Sequence, residues 1–283
     1  MMKGTTMDSG PADGAALDGG QNRIPVSALL TDPVATARRQ LLHLARTPQT
    51  AIGTLTSPIL FLVLFRYVFG GAIPVPGISY VDYIVPAMLV QNLVFMGFTS
   101  ATGLAQDATA GILDRYRSLP TPRVTLLAGR AAADLLMQAT AGAITVATGL
   151  VIGFRFRGGL GGTVAGLGMV LLIGLSLFTV FAAMGLWTRN PETVQSMTPP
   201  FFLLLFVSSG FIPIATLPGW LRGFARDQPV TVFTNTVRGL LDGPAAERVI
   251  GSATGHEVVV CLIWCAGMAL VGGGLALRAY RRL

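Results

Sequence analysis

Lysine is all but missing from this chain. Lys3 is the only one, so nearly all of the 20 basic residues are arginines. A P-loop of the form G-x-x-x-x-G-K-[ST] uses its lysine to reach the nucleotide phosphates. Lys3 stands in a loose Gly- and Asp-containing tail without that context, which excludes ATP hydrolysis by that route. Charge of either sign is also scarce: 12% of residues are charged, against about a quarter in soluble domains. An ordinary water-soluble domain is thereby excluded. The 2 cysteines, Cys261 and Cys265, lie one helical turn apart and make no disulfide framework. With His256 they are too few for a metal site, and small apolar packing is their expected role. From Met1 to about Arg23 there is no apolar run, hence no secretory h-region. Residues 1–31 are expected to form a disordered cytoplasmic tail.

What the chain does contain is apolar sequence. Hydrophobic residues make up 52% of it, mean hydropathy is +0.65, and Gly 35 and Pro 17 are high counts of the kind found in membrane helices. A span needs about 20 mainly apolar residues. Six segments qualify: Ala51–Ala72, Tyr83–Ala105, Leu126–Phe154, Thr163–Trp187, Thr193–Phe211 and Val258–Ala279. The first is expected to bend at Pro58. The fifth is expected to kink near its inner end, where Gln195 and Pro199-Pro200 stand. The expected fold is an all-α integral membrane protein of six transmembrane helices, with one membrane domain over residues 32–283. Six spans put both termini on one side. The positive-inside rule favours cytoplasmic termini, although Arg155 and Arg157 then fall outside. The net charge of +7 is no nucleic-acid signature, because most basic residues flank apolar runs, where they set topology and meet anionic lipids.

Asp32-Pro33 opens a helix, with Asp as N-cap and Pro in the first turn. Val34, Ala37, Leu41, Leu44 and Ala45 fall on one arc, with Arg39, His43 and Arg46 opposite and Arg38 at the edge. This predicts an amphipathic helix over Asp32–Thr47, lying on the inner membrane surface.

Ser208–Leu241 is the most informative stretch. It is apolar, interrupted by Pro213, Pro218 and Pro229, and carries Arg222, Arg226 and Arg238. Such a backbone cannot cross lipid, because interrupted helices leave amide groups unsatisfied. It can enter the outer boundary and return packed against protein. A re-entrant outer helical unit between spans five and six is therefore expected.

A short charged loop follows span two, from Gln106 to Arg123. Ile112, Leu113 and Tyr116 give it an apolar face, and Pro120 and Pro122 stop the helix rigidly. A stiff element of this kind fits a groove on a partner. The plainer alternative is that Arg115, Arg117 and Arg123 only anchor topology.

LFRYVFGG (Leu64–Gly71), DRYRSLP (Asp114–Pro120), SSGFIPIATLPGW (Ser208–Trp220) and QPVT (Gln228–Thr231) together resemble the ABC-2 permease family. Within it, the chain is similar to the daunorubicin/doxorubicin-resistance type of actinobacterial membrane subunit. The resemblance implies a multi-pass protein of the bacterial plasma membrane working as a dimer, with a second permease copy or a paralogue. It implies two copies of a separate cytoplasmic ATPase, which bind ATP and Mg, so that no cofactor belongs to this chain. The implied cargo is a hydrophobic or lipid-linked compound: a drug, glycolipid or polyketide. On this resemblance the ATPase-coupling set comprises Arg38, Arg39, Asp107, Asp114, Arg115, Tyr116, Arg117, Ser118, Leu119, Pro120 and Arg123. The outer gate comprises Ser209, Gly210, Phe211, Pro213, Pro218, Trp220, Gln228 and Pro229.

Polar groups inside the spans complete the candidates. Arg66, Gln91 and Asn92 either face a pathway or serve structure, Arg66 by snorkelling and the two amides by interhelical hydrogen bonds. Asp107 and Asp134, placed near the inner surface, are candidates to pair with arginines. Gly162-x-x-x-Gly166 and Gly97-x-x-x-Ala101 permit close helix contact. Phe201, Phe202, Phe206 and Met96 offer an adaptable apolar lining. Two other functions compete with a driven permease. An ion- or proton-coupled secondary transporter wants mid-membrane acids and inverted repeats, and neither stands out. An intramembrane hydrolase built on Ser176 lacks the final glycine of a serine elbow and a base near it in the chain.

Overall fold

The computed structural model describes residues 56, 58–70, 75, 77–110 and 123–281. The expected tail, the Asp32–Thr47 helix and most of the loop after span two lie outside the described residues. Among the described residues every regular element is helical. In chain order these are α1 (Pro58–Val68), ending in a π-helical turn over Phe65–Phe69; α2 (Tyr80–Thr109); α3 (Arg123–Ile152); and α4 (Gly159–Thr188). The short helices α5 (Pro191–Ser196) and α6 (Thr198–Phe206) follow, then a 3₁₀ turn at Ile214–Thr216. The chain closes with α7 (Gly219–Asp227), α8 (Pro229–Asp242), α9 (Pro244–Ile250) and α10 (Thr254–Arg281).

Among the described residues four helices, α2, α3, α4 and α10, are long and apolar enough to cross a membrane. At 1.5 Å per residue, a 30-residue helix such as α2 reaches about 45 Å, beyond the hydrocarbon thickness of about 30 Å. Helices α2, α4 and α10 each contain an expected span and extend past it, whereas α3 stops at Ile152, two residues short of the expected Phe154. The fifth expected span is not one helix. It breaks at Met197 into α5, capped by the Asn190 side chain on the amides of Glu192 and Thr193, and the nine-residue α6. Pro199 and Pro200 explain the break, since neither has an N–H to continue the hydrogen bonding of α5. Other prolines likewise begin helices: Pro191, Pro229 and Pro244 occupy first-turn positions of α5, α8 and α9.

The bundle has two distinct ends. At one, which we call the cap end, α2 and α4 begin, α3 stops and α10 begins. Arg155 N donates to the Asp82 carboxylate there, the amides of Arg157 and Gly158 donate to Leu241 O, and Thr236 Oγ1 donates to Glu257 O. At the other, the loop end, α2 finishes and α3 starts, and Leu104, Leu186 and Tyr280 of α2, α4 and α10 share a small buried cluster. Through α5 and α6 the chain returns from the loop end to the cap end. α2 is the axis of the assembly, with 78% of its apolar window buried against 17% for α10. That is why α2 is apolar almost all round while α10 keeps an outward face for lipid.

Close packing follows the small residues. A Cβ on Gly185 of α4 would strike the carbonyl of Ala101 on α2, and one on Gly162 would strike Leu240 O of α8. Gly168, on the exposed side of α4, has open space. We therefore expect Gly185→Ala to lower stability by about 1–3 kcal/mol, the usual cost of overpacking. Gly168→Ala should be neutral. Thermal unfolding of the two purified variants checks this, and equal behaviour would refute the packing argument.

Candidate functional site

The chain leaves α6 at Val207 and is non-helical until Ile214. Ser208, Ser209, Gly210 and Phe211 are nonetheless buried. A buried irregular backbone must find its hydrogen bonds from side chains. Ser208 Oγ accepts from Gly210 N at 3.1 Å, and Thr231 Oγ1 accepts from Ser209 N at 3.1 Å. Ser209 Oγ donates to Asn235 Oδ1 at 2.8 Å.

The Ser209 carbonyl receives two further donors, Tyr83 OH at 2.5 Å and Arg238 Nη2 at 3.1 Å. Arg238 sits on α8, 1% exposed. Its guanidinium also bonds Tyr83 O through Nη2 at 2.9 Å and Nε at 3.3 Å, and Asn235 Oδ1 through Nη1 at 3.2 Å. It lies 3.9 Å from the Tyr83 ring centroid. One cation thus joins α2, the Val207–Pro213 turn and α8. Its charge is met by carbonyl dipoles and an aromatic face.

Beside this clasp lies an acidic group. Asp82, fully buried in the first turn of α2, accepts from Arg155 N at 3.3 Å and has Arg157 Nη2 at 3.0 Å from Oδ2. The latter is a charge contact rather than an aligned hydrogen bond, since Oδ2 has no hydrogen-bond partner. Asp242, the last residue of α8, is fully buried and neither of its carboxylate oxygens has a partner. Burial first, and the Asp82 charge second, push the Asp242 carboxyl up to about 7, against the pull of Arg238 and Arg157.

The expected gate residues are divided by the fold. Ser209, Gly210 and Phe211 enter the clasp; Pro213 is half-buried beside it. Gln228 is buried, with Nε2 at 3.4 Å from Leu204 O, and Pro229 starts α8. Pro218 caps α7, whose Trp220 is 81% exposed. Phenylalanine rings run from the cap inward: Phe65 meets Phe211 at 4.9 Å, Phe211 meets Phe206 at 4.8 Å, and Phe206 meets Phe202 at 5.0 Å. Phe202 continues the series to Phe95 at 5.5 Å.

At the loop end, α2 and α3 are fastened side by side. Asp107 pairs with Arg130, and Ser100 donates to Asp134. Arg130 lies across Gly103, where a Cβ would collide with its guanidinium. Asp134 lies within the candidate span Leu127–Ile152 rather than at its edge. Arg38, Arg39 and residues 111–122 lie outside the described residues, which removes Asp114, Arg115, Tyr116, Arg117, Ser118, Leu119 and Pro120 from view. Arg123 begins α3. Of the pathway candidates, Asn92 Nδ2 donates to Thr145 Oγ1 on α3 at 2.8 Å. Gln91 is buried with Oε1 unpartnered, and Arg66 is half-buried in the π-helical turn. Ser176 Oγ donates to Ile173 O in its own helix, and His256 is exposed.

Sequence reasoning passed over Asp82, Tyr83, Asn235 and Asp242. The available signal was the lone charge: Asp82 and Asp242 each stand in an apolar stretch where an acid needs a reason.

Arg238→Ala would leave the carbonyls of Tyr83 and Ser209 short of donors at about 1–3 kcal/mol each. Tyr83→Phe removes one neutral donor at about 1 kcal/mol while keeping the ring beneath the guanidinium. Thermal unfolding should rank the losses in that order. A harmless Arg238→Ala would mean that the cation is not what holds the turn.

The model of the ABC-2 type transporter family matches residues 34–241. The daunorubicin resistance ABC transporter permease protein DrrB1 of Streptomyces coeruleorubidus is 32% identical over 244 residues, 86% of this chain and 83% of that protein. The probable doxorubicin resistance ABC transporter permease protein DrrC of Mycobacterium tuberculosis is 28% identical over 246 residues, 86% of each chain. The doxorubicin resistance ABC transporter permease protein DrrB of the same species is 30% identical over 196 residues, 66% of this chain and 68% of that one. A match over most of the chain, running from the sequence before α1 through the Arg238 clasp, leaves one assignment: this protein belongs to the ABC-2 type transporter family.

Proposed function

We propose that this chain is the membrane-spanning permease subunit of an ATP-driven exporter that moves a hydrophobic or lipid-like compound outward. Its relatives are named as drug-resistance permeases, and a drug, glycolipid or polyketide fits the same apolar bundle. A separate ATPase, in two copies, supplies the work, and a second permease copy or paralogue completes the pathway. The termini are cytoplasmic, the cap end faces outward, and the bundle has six membrane crossings, the fifth made by α5 and α6. Ser208–Leu241 is the re-entrant unit that closes the exit.

The observation that carries this reading is the fastening of α2 to α3. Arg130–Asp107 and Ser100–Asp134 make the two helices one lever. The loop of residues 111–122 joins their free ends. A partner that pushes this loop moves α2, and α2 carries Tyr83 of the clasp at its far end. In this mechanism nucleotide binding draws the ATPases together. The Asp107–Arg123 loop and the Asp32–Thr47 helix pass that movement inward. The clasp then yields or closes as α2 shifts. Arg38, Arg39, Asp114, Arg115, Tyr116, Arg117, Ser118, Leu119 and Pro120 form the contact. Asp107 acts through Arg130.

Two measurements test the reading. A cysteine at Ser118 should cross-link to the cognate ATPase in a nucleotide-dependent way. Arg117→Ala with Pro120→Ala should lower transport at least tenfold with the permease still folded. ATPase binding and turnover indifferent to both changes would exclude the coupling role. Asp134, an acid within a candidate span, is the one observation that favours an ion- or proton-coupled transporter instead. Transport that survives ATP depletion and collapses with the proton gradient would select that alternative.

A further inference from the structure

The clasp and the acidic group beside it differ in one respect. Every polar atom of Arg238 that faces the bundle finds a carbonyl or amide oxygen, whereas Asp242 finds nothing. Both of its carboxylate oxygens are buried and unpartnered, on a residue with no exposed surface. A carboxylate left that way is strongly disfavoured, and the remedy open to it is a proton.

Its position makes that proton consequential. Leu241, the residue before it, accepts hydrogen bonds from the amides of Arg157 and Gly158 at 3.0 and 2.8 Å. The Arg157 side chain reaches Asp82 at 3.0 Å. Gly243, the residue after it, has φ +64°, and a Cβ there would lie 3.2 Å from Gly158 Cα. The end of α8, the 153–158 loop and the first turn of α2 therefore form one tight joint, with the Asp242 side chain inside it. The loop carries two exposed cations: Arg157 is already engaged by Asp82, and Arg155 Nη1 donates to Phe154 O at 3.3 Å.

We propose that Asp242 is a proton-binding site of the cap, occupied when the joint is closed, and that its ionisation loosens the 153–158 loop from α8. On loss of the proton two carboxylates compete for Arg157, and like charges are brought together in a buried space. The groups facing Asp242 are Asp82 from α2, Arg157 from the loop and Arg238 from its own helix. Glu247 on α9 is held by Thr254 N at 2.8 Å, and Glu257 on α10 by Ser252 Oγ at 2.5 Å. The first four turns of α4 contain no titratable residue, and α7 meets the opposite end of α8, where Thr231 Oγ1 donates to Ala225 O. The raised affinity of Asp242 for a proton puts the change near neutrality. That the site looks outward rests on the permease reading above; the proton site itself does not.

The sign is fixed by linkage. A carboxyl whose folded value lies above its unfolded one binds the proton more tightly when folded. Stability is then full below the unfolded value of 3.8 and falls as pH rises through about 7. The purified full-length chain in detergent should show a thermal midpoint that declines over that range. Asp242→Asn should remove the decline and keep the low-pH midpoint throughout. Infrared spectra should show a protonated-acid carbonyl band that disappears above neutrality in the wild type and is missing from the Asn variant. An Asn variant that follows the wild-type pH profile, or a band indifferent to the substitution, overturns the proposal. Should the variant fail to accumulate, amide exchange of Arg157 and Gly158 in the wild type decides. Once intrinsic base catalysis is subtracted, exchange rising by up to about tenfold per pH unit towards neutrality supports the site. Constant protection overturns it. No ATPase enters these measurements, so their failure leaves the exporter reading intact, and failed ATPase coupling leaves the proton site intact.

Discussion

Peptide groups in an apolar environment have to be satisfied within the protein, and the Val207–Pro213 turn is where this chain meets that requirement without a helix. The turn is buried, irregular and far in sequence from the helix it packs on, Tyr83 and Ser209 being 126 positions apart. Arg238 resolves the problem because a guanidinium presents several N–H groups in one plane, enough for two carbonyls and an amide oxygen at once. A lysine, with a compact ammonium and no planar fork, has no equivalent reach. The same cation rests on the Tyr83 ring, and Tyr83 OH bonds the carbonyl that Arg238 also holds. Tyr83 and Arg238 are therefore a unit, each placed by the group the other serves.

From that unit the architecture follows outward. α2 is fixed at the cap end by Tyr83 and at the loop end by Asp107 and Ser100, with α4 pressed against it where Gly185 meets Ala101. A helix held at both ends and closely packed between them transmits displacement instead of absorbing it. α10 is different: it lies at the margin, mostly facing outward, with small residues where α4 touches it, as at Gly272 beside Thr179. The division between a central rigid helix and marginal ones sets which element can relay a push.

The long helices are legible because hydropathy alone marks them: the observed bounds of α2, α4 and α10 contain the expected spans, and α3 covers all but the last two residues of its own. The fifth expected span is two helices: its apolar content resembles that of a span, and the Pro199-Pro200 pair divides it where the sequence predicts only a kink. The Ser208–Leu241 stretch announced itself through its prolines, yet their role was the reverse of interruption in the case of Pro229, which begins a helix. What no local pattern carries is the pairing between distant segments. Asp82 with Arg157, and Tyr83 with Ser209 and Arg238, join residues separated by the whole of α3 or more. Arg155 and Arg157 had looked like exceptions to the charge rule for topology. In the structure Arg157 is spent on Asp82, so its place is dictated by a buried acid rather than by membrane sidedness.

The two buried charges of α8, four residues apart on one helix, show why burial alone does not define a role. Arg238 is permanently charged in practice, and its solvation has been replaced by fixed dipoles, so it behaves as a rivet. Asp242 has had its solvation removed and nothing put in its place, so its charge state becomes the adjustable quantity. Arg238 attracts the Asp242 charge but makes no hydrogen bond to its carboxylate, so Asp242 can lose or keep its proton without breaking the clasp. The joint around Arg157 can then respond while the turn at Ser209 stays held, which separates a structural cation from a titratable acid within one turn of one helix.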